Sequence, residues 1–123
     1  MRSIDDVGQD LLHFHSAIQY VGIFNDYEKL ICKYFKSREG ELESDSQDLA
    51  DGAKSRWHKR LSLSKNLGKP LFSFTKYERA FRMTFYYKDY MILIKTSPIE
   101  DYARLIERIE NKLQEQEMFM HEK

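Results

Sequence analysis

Apolar residues recur at intervals of three and four near the start of the chain, which is the spacing of one face of an α-helix. They are Ile4, Val7, Leu11, Phe14 and Ile18. Ser3 followed by Asp6 fits a capping box, in which each side chain accepts a hydrogen bond from the other residue's backbone N–H. The pattern predicts a first helix over about 4–17.

Two apolar runs rich in β-branched and aromatic residues follow, on either side of the polar turn Asn25-Asp26. They span 18–24 and 28–35, and such a pair predicts a β-hairpin. The first run has so few polar residues that we expect a central strand that is buried on both faces. Gly22 within it is expected to let a helix pack close against the sheet.

Three further strands are predicted in the second half of the chain. Residues 71–76 and 79–87 alternate between large apolar and polar side chains. Residues 90–96 contain a continuous apolar run that is typical of a central strand. Because the connections between them are short, the three strands are expected to form a meander.

A second helix is expected at about 45–61, between the hairpin and the meander. Ser44 and Gln47 have the spacing of a capping box. A narrow apolar stripe with a spacing of four residues follows, formed by Leu49, Ala53, Trp57 and Leu61.

A third helix is expected at about 98–117. Ser97-Pro98-Ile99-Glu100 combines a capping serine, a proline at the first helical position and a glutamate that completes the box. We expect one domain over 1–117 and a flexible tail over 118–123. The order α-β-β-α-β-β-β-α predicts an α+β fold with one five-stranded, mainly antiparallel sheet.

Composition narrows the class of protein. The 123 residues contain 20 Lys and Arg against 20 Asp and Glu, so the chain as a whole does not favour nucleic acid or an acidic membrane. Neither a signal sequence nor a membrane-spanning run is evident, and we expect a soluble, cytoplasmic protein. No phosphate loop or hydrolase motif occurs, and no catalytic, cofactor or metal residues are predicted.

The single cysteine and the histidines do not change this expectation. Cys32 lies in the middle of a predicted strand and is interpreted as a buried, inert thiol. His13 and His15 point to different sides of the first predicted helix, so they cannot share a metal ion without help. His58, beside Trp57, is assigned to the basic face of the second helix.

The order of elements, with a first helix leading into Tyr20-Val21-Gly22-Ile23-Phe24 and a tight hairpin, resembles the roadblock/dynein light chain and longin branch of the profilin-like folds. It is also similar to small archaeal proteins placed near that branch. The chain departs from the pattern in having Asn25-Asp26-Tyr27 where a hairpin glycine is usual. The resemblance implies a non-enzymatic scaffold or a regulator of small GTPases, which pairs through its second helix and the strand after it.

The residues themselves indicate the same surface. The strand at 71–76 lies at the end of the meander and is therefore an expected sheet edge that invites pairing. A tryptophan or phenylalanine anchor beside arginine is a common composition of interfaces. We expect a homodimer whose interface contains Leu49, Ala53, Trp57, Phe72 and Phe74.

Two alternatives remain open at this stage. Residues 54–82 contain nine Lys and Arg against Glu78 alone. This stretch could bind an acidic protein or, as a less favoured possibility, the phosphates of nucleic acid. The candidate anion-binding residues are Lys54, Arg56, Lys59 and Arg60. The many aromatic residues could also line the pocket of a PAS-like small-molecule sensor, although the alternation of Phe81, Met83 and Phe85 favours core packing.

Overall fold

The computed structural model describes residues 3–25, 30–36, 66–68 and 71–121. Two complete helices and five strands lie in this part of the chain, and Asn66 and Leu67 are also helical. The complete elements are α1 (Ile4–Leu12), β1 (Ile18–Phe24), β2 (Leu30–Phe35), β3 (Phe72–Lys76), β4 (Phe81–Tyr87), β5 (Tyr90–Thr96) and α2 (Tyr102–His121). The helix predicted at 45–61 lies outside the described residues.

The five strands form one sheet in the order β2-β1-β5-β4-β3. Every neighbouring pair is antiparallel, so the predicted α+β fold with a five-stranded, mainly antiparallel sheet is confirmed. The hairpin β1–β2 and the meander β3–β4–β5 join where β1 pairs with β5. This order places β2 and β3 at the two edges of the sheet.

One face of the sheet packs against both described helices. Alternate residues of β1, β4 and β5 point to this face, because side chains of a strand alternate between its two sides. The helices contribute the apolar residues that recur at spacings of three and four. The members buried in this cluster include Val7, Leu11, Ile23, Met83, Phe85, Ile92, Ile94, Leu105, Ile109 and Leu113.

The opposite face of the central strands is also buried. Tyr20 and Phe24 of β1 pack with Met91 and Leu93 of β5, and each is at most 3% exposed. The sequence predicted this double burial for β1, and it explains why β1 and β5 read as nearly continuous apolar runs. A shift in the β1–β5 register between Ile18 and Tyr20 lets Ile18 point towards the helices while Tyr20 points away.

Gly22 makes room for a side chain of its own strand. A Cβ atom built at Gly22 would lie 2.5 Å from the phenolic oxygen of Tyr20, on the same strand. The missing side chain therefore leaves room for a tyrosine ring that folds back over its own strand. The expectation that a helix approaches the sheet at this point stays a prediction, because the helix expected at 45–61 lies outside the described residues.

The first helix begins as predicted but ends earlier. Ser3 Oγ accepts a hydrogen bond from the Asp6 N–H, and the Asp6 carboxylate accepts one from the Ser3 N–H, both at 3.1 Å. The helix ends at Leu12, with His13 as its C-cap. Phe14 lies beyond it, where its ring packs 5.0 Å from the Arg108 guanidinium carbon of α2.

The third predicted helix begins later than expected. Ser97 does not cap it, because its N–H donates a hydrogen bond to the Ala17 carbonyl at 2.9 Å and its hydroxyl donates to the same oxygen at 3.4 Å. These bonds hold the end of β5 against the chain segment that enters β1. Helix α2 therefore begins at Tyr102 and continues to His121, four residues beyond its predicted end. Neither described helix combines the length and the hydropathy that crossing a membrane requires.

The backbone conformation of the β4–β5 turn can be tested by substitution. Lys88 has a φ of 53°, in the left-handed region that favours glycine, whereas Asp89 is not among the residues of positive φ. We expect Lys88→Gly to raise the free energy of unfolding by about 0.5–1 kcal/mol, because the steric cost of a Cβ atom in this region disappears. Urea denaturation measures it. The matched control, Asp89→Gly, should give no gain, and equal gains from both would contradict the assignment.

Candidate protein-interaction site

Strand β3 has a hydrogen-bonding partner on one side only among the described strands. It pairs with β4 from Phe72 opposite Phe85 to Lys76 opposite Phe81. The Tyr86 N–H donates to the Leu71 carbonyl at 3.3 Å. Beyond the other end of β3, the Tyr77 N–H donates to the Ala80 carbonyl at 2.9 Å.

These two hydrogen bonds fix which backbone groups of β3 face outwards. In an antiparallel pair, residues that bond to the neighbouring strand alternate with residues whose N–H and C=O groups point away from it. Because Leu71 and Tyr77 bond towards β4, the odd-numbered residues of β3 do so as well. The outward groups therefore belong to Phe72, Phe74 and Lys76.

Large apolar side chains are exposed along this edge. Leu71 is 66% exposed, Phe72 is 41% exposed and Tyr77 is 48% exposed. Only Leu30, Ile31 and Leu67 are comparable among the described residues. An edge strand with unpaired backbone groups and exposed apolar side chains is a template for pairing with another chain.

Phe74 is tied into the fold rather than left free. Its ring stacks on Tyr102 of α2, with centroids 4.7 Å apart and an angle of 8° between the planes. It meets Phe81 edge to face at 5.5 Å, and Phe81 meets Tyr102 in the same way at 5.6 Å. Such aromatic pairs contribute about 0.5–1.5 kcal/mol beyond burial. The three rings hold β3 against the first turn of α2.

A cleft opens beside these rings. It has a volume of about 460 Å³ and is lined by Lys76, Tyr77, Glu78, Phe81, Pro98, Ile99, Glu100 and Tyr102. The Lys76 ammonium lies 5.7 Å from the ring centroids of both Phe81 and Tyr102, which is cation–π distance. On the neighbouring residue, the Tyr77 ring lies 5.5 Å from the Arg82 guanidinium carbon.

The structure brings together only part of the set of site residues expected from the sequence. Phe72 and Phe74 lie two residues apart on the edge strand, with Phe72 exposed and Phe74 half-buried. Sequence reasoning missed Lys76 as a member of the same face, although its period-two spacing from Phe72 and Phe74 could have indicated it. Seven other candidates lie outside the described residues and stay predictions: Leu49, Ala53, Trp57, Lys54, Arg56, Lys59 and Arg60.

The histidine and cysteine side chains considered from the sequence have contacts that fit structural roles. His15 Nδ1 accepts a hydrogen bond from the Ala17 N–H at 3.0 Å, and the His15 carbonyl accepts one from Lys36 Nζ at 3.0 Å. The pKa of the Cys32 thiol is raised, first by burial and second by the nearby Asp5 carboxylate. The thiol therefore stays protonated and weakly nucleophilic at neutral pH. Within the described ranges, no three His, Cys, Asp or Glu side chains are grouped so that they could hold a metal ion.

Comparison with known proteins places the fold. No protein-family model and no curated protein sequence matches the chain. Solved structures do match. MglB of Myxococcus xanthus is 15% identical with a TM-score of 0.67, covering 91% of this chain and 92% of that one. A Roadblock/LC7 domain from Streptomyces avermitilis is 9% identical with a TM-score of 0.66, covering 95% and 99%.

A third solved structure, described as MglB with a tetrameric arrangement, is 14% identical with a TM-score of 0.64 and covers 89% of this chain and 83% of that one. At such identities the likeness establishes the fold. The chain has a Roadblock/LC7-like fold, and the resemblance inferred from the order of its elements is confirmed.

The two edge phenylalanines should differ in their effect on stability. We expect Phe74→Ala to lower the free energy of unfolding by about 2–4 kcal/mol, because its ring packs on Tyr102 and Phe81. The matched change Phe72→Ala should cost less, about 1–2 kcal/mol, because Phe72 is 41% exposed and its ring lies 6.1 Å from that of Phe85. Urea denaturation at the lowest workable protein concentration, where self-association contributes little, measures both. Equal costs would contradict the packing described here.

Proposed function

We propose that this chain is a non-enzymatic protein-interaction module that forms a homodimer by pairing β3 with β3 of a second copy. The observation that carries the proposal is the outward row of backbone groups on Phe72, Phe74 and Lys76. Pairing of two edge strands satisfies these groups and extends one sheet across two copies. The exposed Leu71, Phe72 and Tyr77 supply apolar area to the same interface.

The rigidity of the edge supports this proposal. Ordering a strand on binding costs conformational entropy, and an edge that is already held in shape avoids most of that cost. Here the Phe74–Tyr102 stack and the five paired residues of β3 hold the strand in place before any partner arrives. A symmetric dimer also needs only one self-complementary patch, which a short antiparallel edge provides.

The structural relatives support a role in assembly. One of them is described as an MglB with a tetrameric arrangement, and the family resemblance implies a scaffold or a regulator of small GTPases. We therefore propose a small GTPase as the partner of the dimer. The predicted basic helix at 45–61 would supply positive charge for an acidic partner surface.

The two alternatives have less support. A PAS-like sensor needs a sizeable internal cavity, whereas the clefts of about 150 Å³ and 460 Å³ in the described part both include exposed residues in their lining and open to solvent. Binding of nucleic acid or another anion rests on Lys54, Arg56, Lys59 and Arg60, and no described contact adds to it.

Removal of one outward N–H tests the dimer. Lys76→Pro deletes the N–H that points away from β4, and proline is tolerated on an edge strand. A symmetric dimer loses this bond twice, which amounts to about 1–3 kcal/mol or roughly a fivefold to 150-fold rise in the dimer Kd. Sedimentation analysis measures the Kd. Lys76→Ala is the matched control, because it removes the same side chain and keeps the N–H, so it should have the smaller effect. A wild-type chain that stays monomeric at high micromolar concentration would refute the dimer.

The GTPase part of the proposal has its own test. The rate of GTP hydrolysis by a small GTPase from the same cell should change when the wild-type chain is added. The change should be reduced with Lys76→Pro at a concentration where that variant is monomeric, because the proposed regulator is the dimer. An unchanged rate together with no detectable binding would remove the GTPase from the proposal and leave the dimer in place.

A further inference from the structure

The alternation of backbone groups on β3 limits how two copies can pair. A twofold axis makes the contacts reciprocal, so residue i meets residue j of the partner and j meets i. Outward groups must meet outward groups, and these belong to Phe72, Phe74 and Lys76. Only an axis through Phe74 pairs all five residues of β3, placing Phe72 opposite the second copy's residue 76.

The other symmetric registers pair fewer residues of β3 or place like charges opposite each other. An axis through Ser73 or Thr75 leaves two residues of each β3 unpaired within the strand. An axis through Lys76 places two ammonium groups opposite each other, which is unfavourable on one face of a sheet. An axis through Phe74 gives three hydrogen-bonded pairs that exchange about six backbone hydrogen bonds.

The same register brings two complementary features together on one face of the sheet. Phe72 is 41% exposed, with its ring 6.1 Å from that of Phe85, and Lys76 carries an ammonium beside the open cleft formed with Phe81 and Tyr102. Residues directly opposite each other on one face have Cβ atoms about 5 Å apart. A phenylalanine opposite Lys76 can therefore reach the stem of the lysine and the mouth of the cleft.

We propose that the cleft beside Lys76, Phe81 and Tyr102 is the receptor for Phe72 of a second copy of this chain. The Lys76 ammonium then lies between its own aromatic rings and the incoming one, with cation–π contact on both sides. The twofold axis forms this site twice in each dimer. The inference rests on the proposed dimer and goes beyond it by fixing the register and assigning an occupant to the cleft.

The opposite face of the paired strands fits the same register. Ser73 then lies opposite residue 75 of the second copy, a threonine, and such hydroxyl pairs are favourable across strands. Leu71 lies opposite residue 77, a tyrosine, so two of the most exposed apolar residues of the edge face each other. A single register thus provides a partner for every large apolar residue that the edge exposes.

Disulfide trapping tests the register. In a Cys32→Ala background, Phe72→Cys and Lys76→Cys are prepared as separate proteins, and sedimentation first establishes that each is dimeric. The proposed register puts the two positions about 5.5 Å apart between Cα atoms in a mixed dimer, within the range that a disulfide spans. Two copies of position 72, or two copies of position 76, are about 14 Å apart, since they are offset by four residues of about 3.3 Å each and lie on neighbouring strands about 5 Å apart.

The expected result is a cross-linked dimer when the two variants are mixed under oxidising conditions and none when either is oxidised alone. A cross-link in either variant alone, or none in the mixture of dimeric proteins, overturns the register and leaves the β3 dimer standing. A monomeric wild-type chain overturns the dimer itself and the receptor with it.

A second measurement tests the occupant of the cleft. Phe72→Ala should raise the dimer Kd by about tenfold or more, because the ring is lost at two sites. Tyr102→Leu removes one aromatic wall of the cleft and should raise the dimer Kd several-fold in the wild-type chain. In a chain that already carries Phe72→Ala, the same change should raise the Kd by much less. If the double variant raises the Kd by the product of the two single effects, Phe72 does not enter the cleft, whatever the oligomeric state. Urea denaturation of Tyr102→Leu provides the control for folding.

Discussion

A strand has backbone donors and acceptors on two sides, and β3 has a neighbour on only one of them within the described sheet. Much of what this molecule can do follows from that imbalance. The order β2-β1-β5-β4-β3 buries β1 and β5 from both faces and supplies the core, whereas it leaves the meander to end in a strand with an open side. The core stabilises the fold, and the backbone groups on the outer side of β3 are available to pair with another chain.

The fold supports this edge instead of leaving it loose. Phe74 points to the helix face, where it stacks on Tyr102 and touches Phe81. The same side of the strand then offers Phe72 and Lys76 to the outside. An edge that is anchored at its middle residue and exposed at its two ends is well suited to symmetric pairing, because the twofold axis falls where the strand is held most firmly.

The sequence predicted the sheet better than it predicted the helix boundaries or the site. Period-two alternation and continuous apolar runs together located every strand to within two residues, because both reflect burial of the strand, which leaves a local pattern in the chain. The start of α2 was misplaced because Ser97 bonds to Ala17, far away in sequence, and no capping pattern could reveal that competition. The same limit applies to Phe74, whose partner Tyr102 lies on another element. The sequence could have assigned Lys76 to the face of Phe72 and Phe74, since the face of a residue follows from its position in the strand.

The other edge of the sheet governs how large an assembly can become. If two copies join through β3, the combined sheet ends at both margins in β2, and a second adhesive margin would allow further copies to add without limit. Strand β2 also exposes Leu30 and Ile31, each 43% exposed, but it carries the exposed Lys33 and its pairing with β1 is interrupted by a shift between Ile23 and Phe24. Charged side chains and bulges are the devices by which natural sheets discourage edge-to-edge growth. If the proposed dimer forms through β3, the lysine and the irregular pairing of β2 disfavour the addition of further copies at the other edge of the sheet, so that assembly stops at a closed pair.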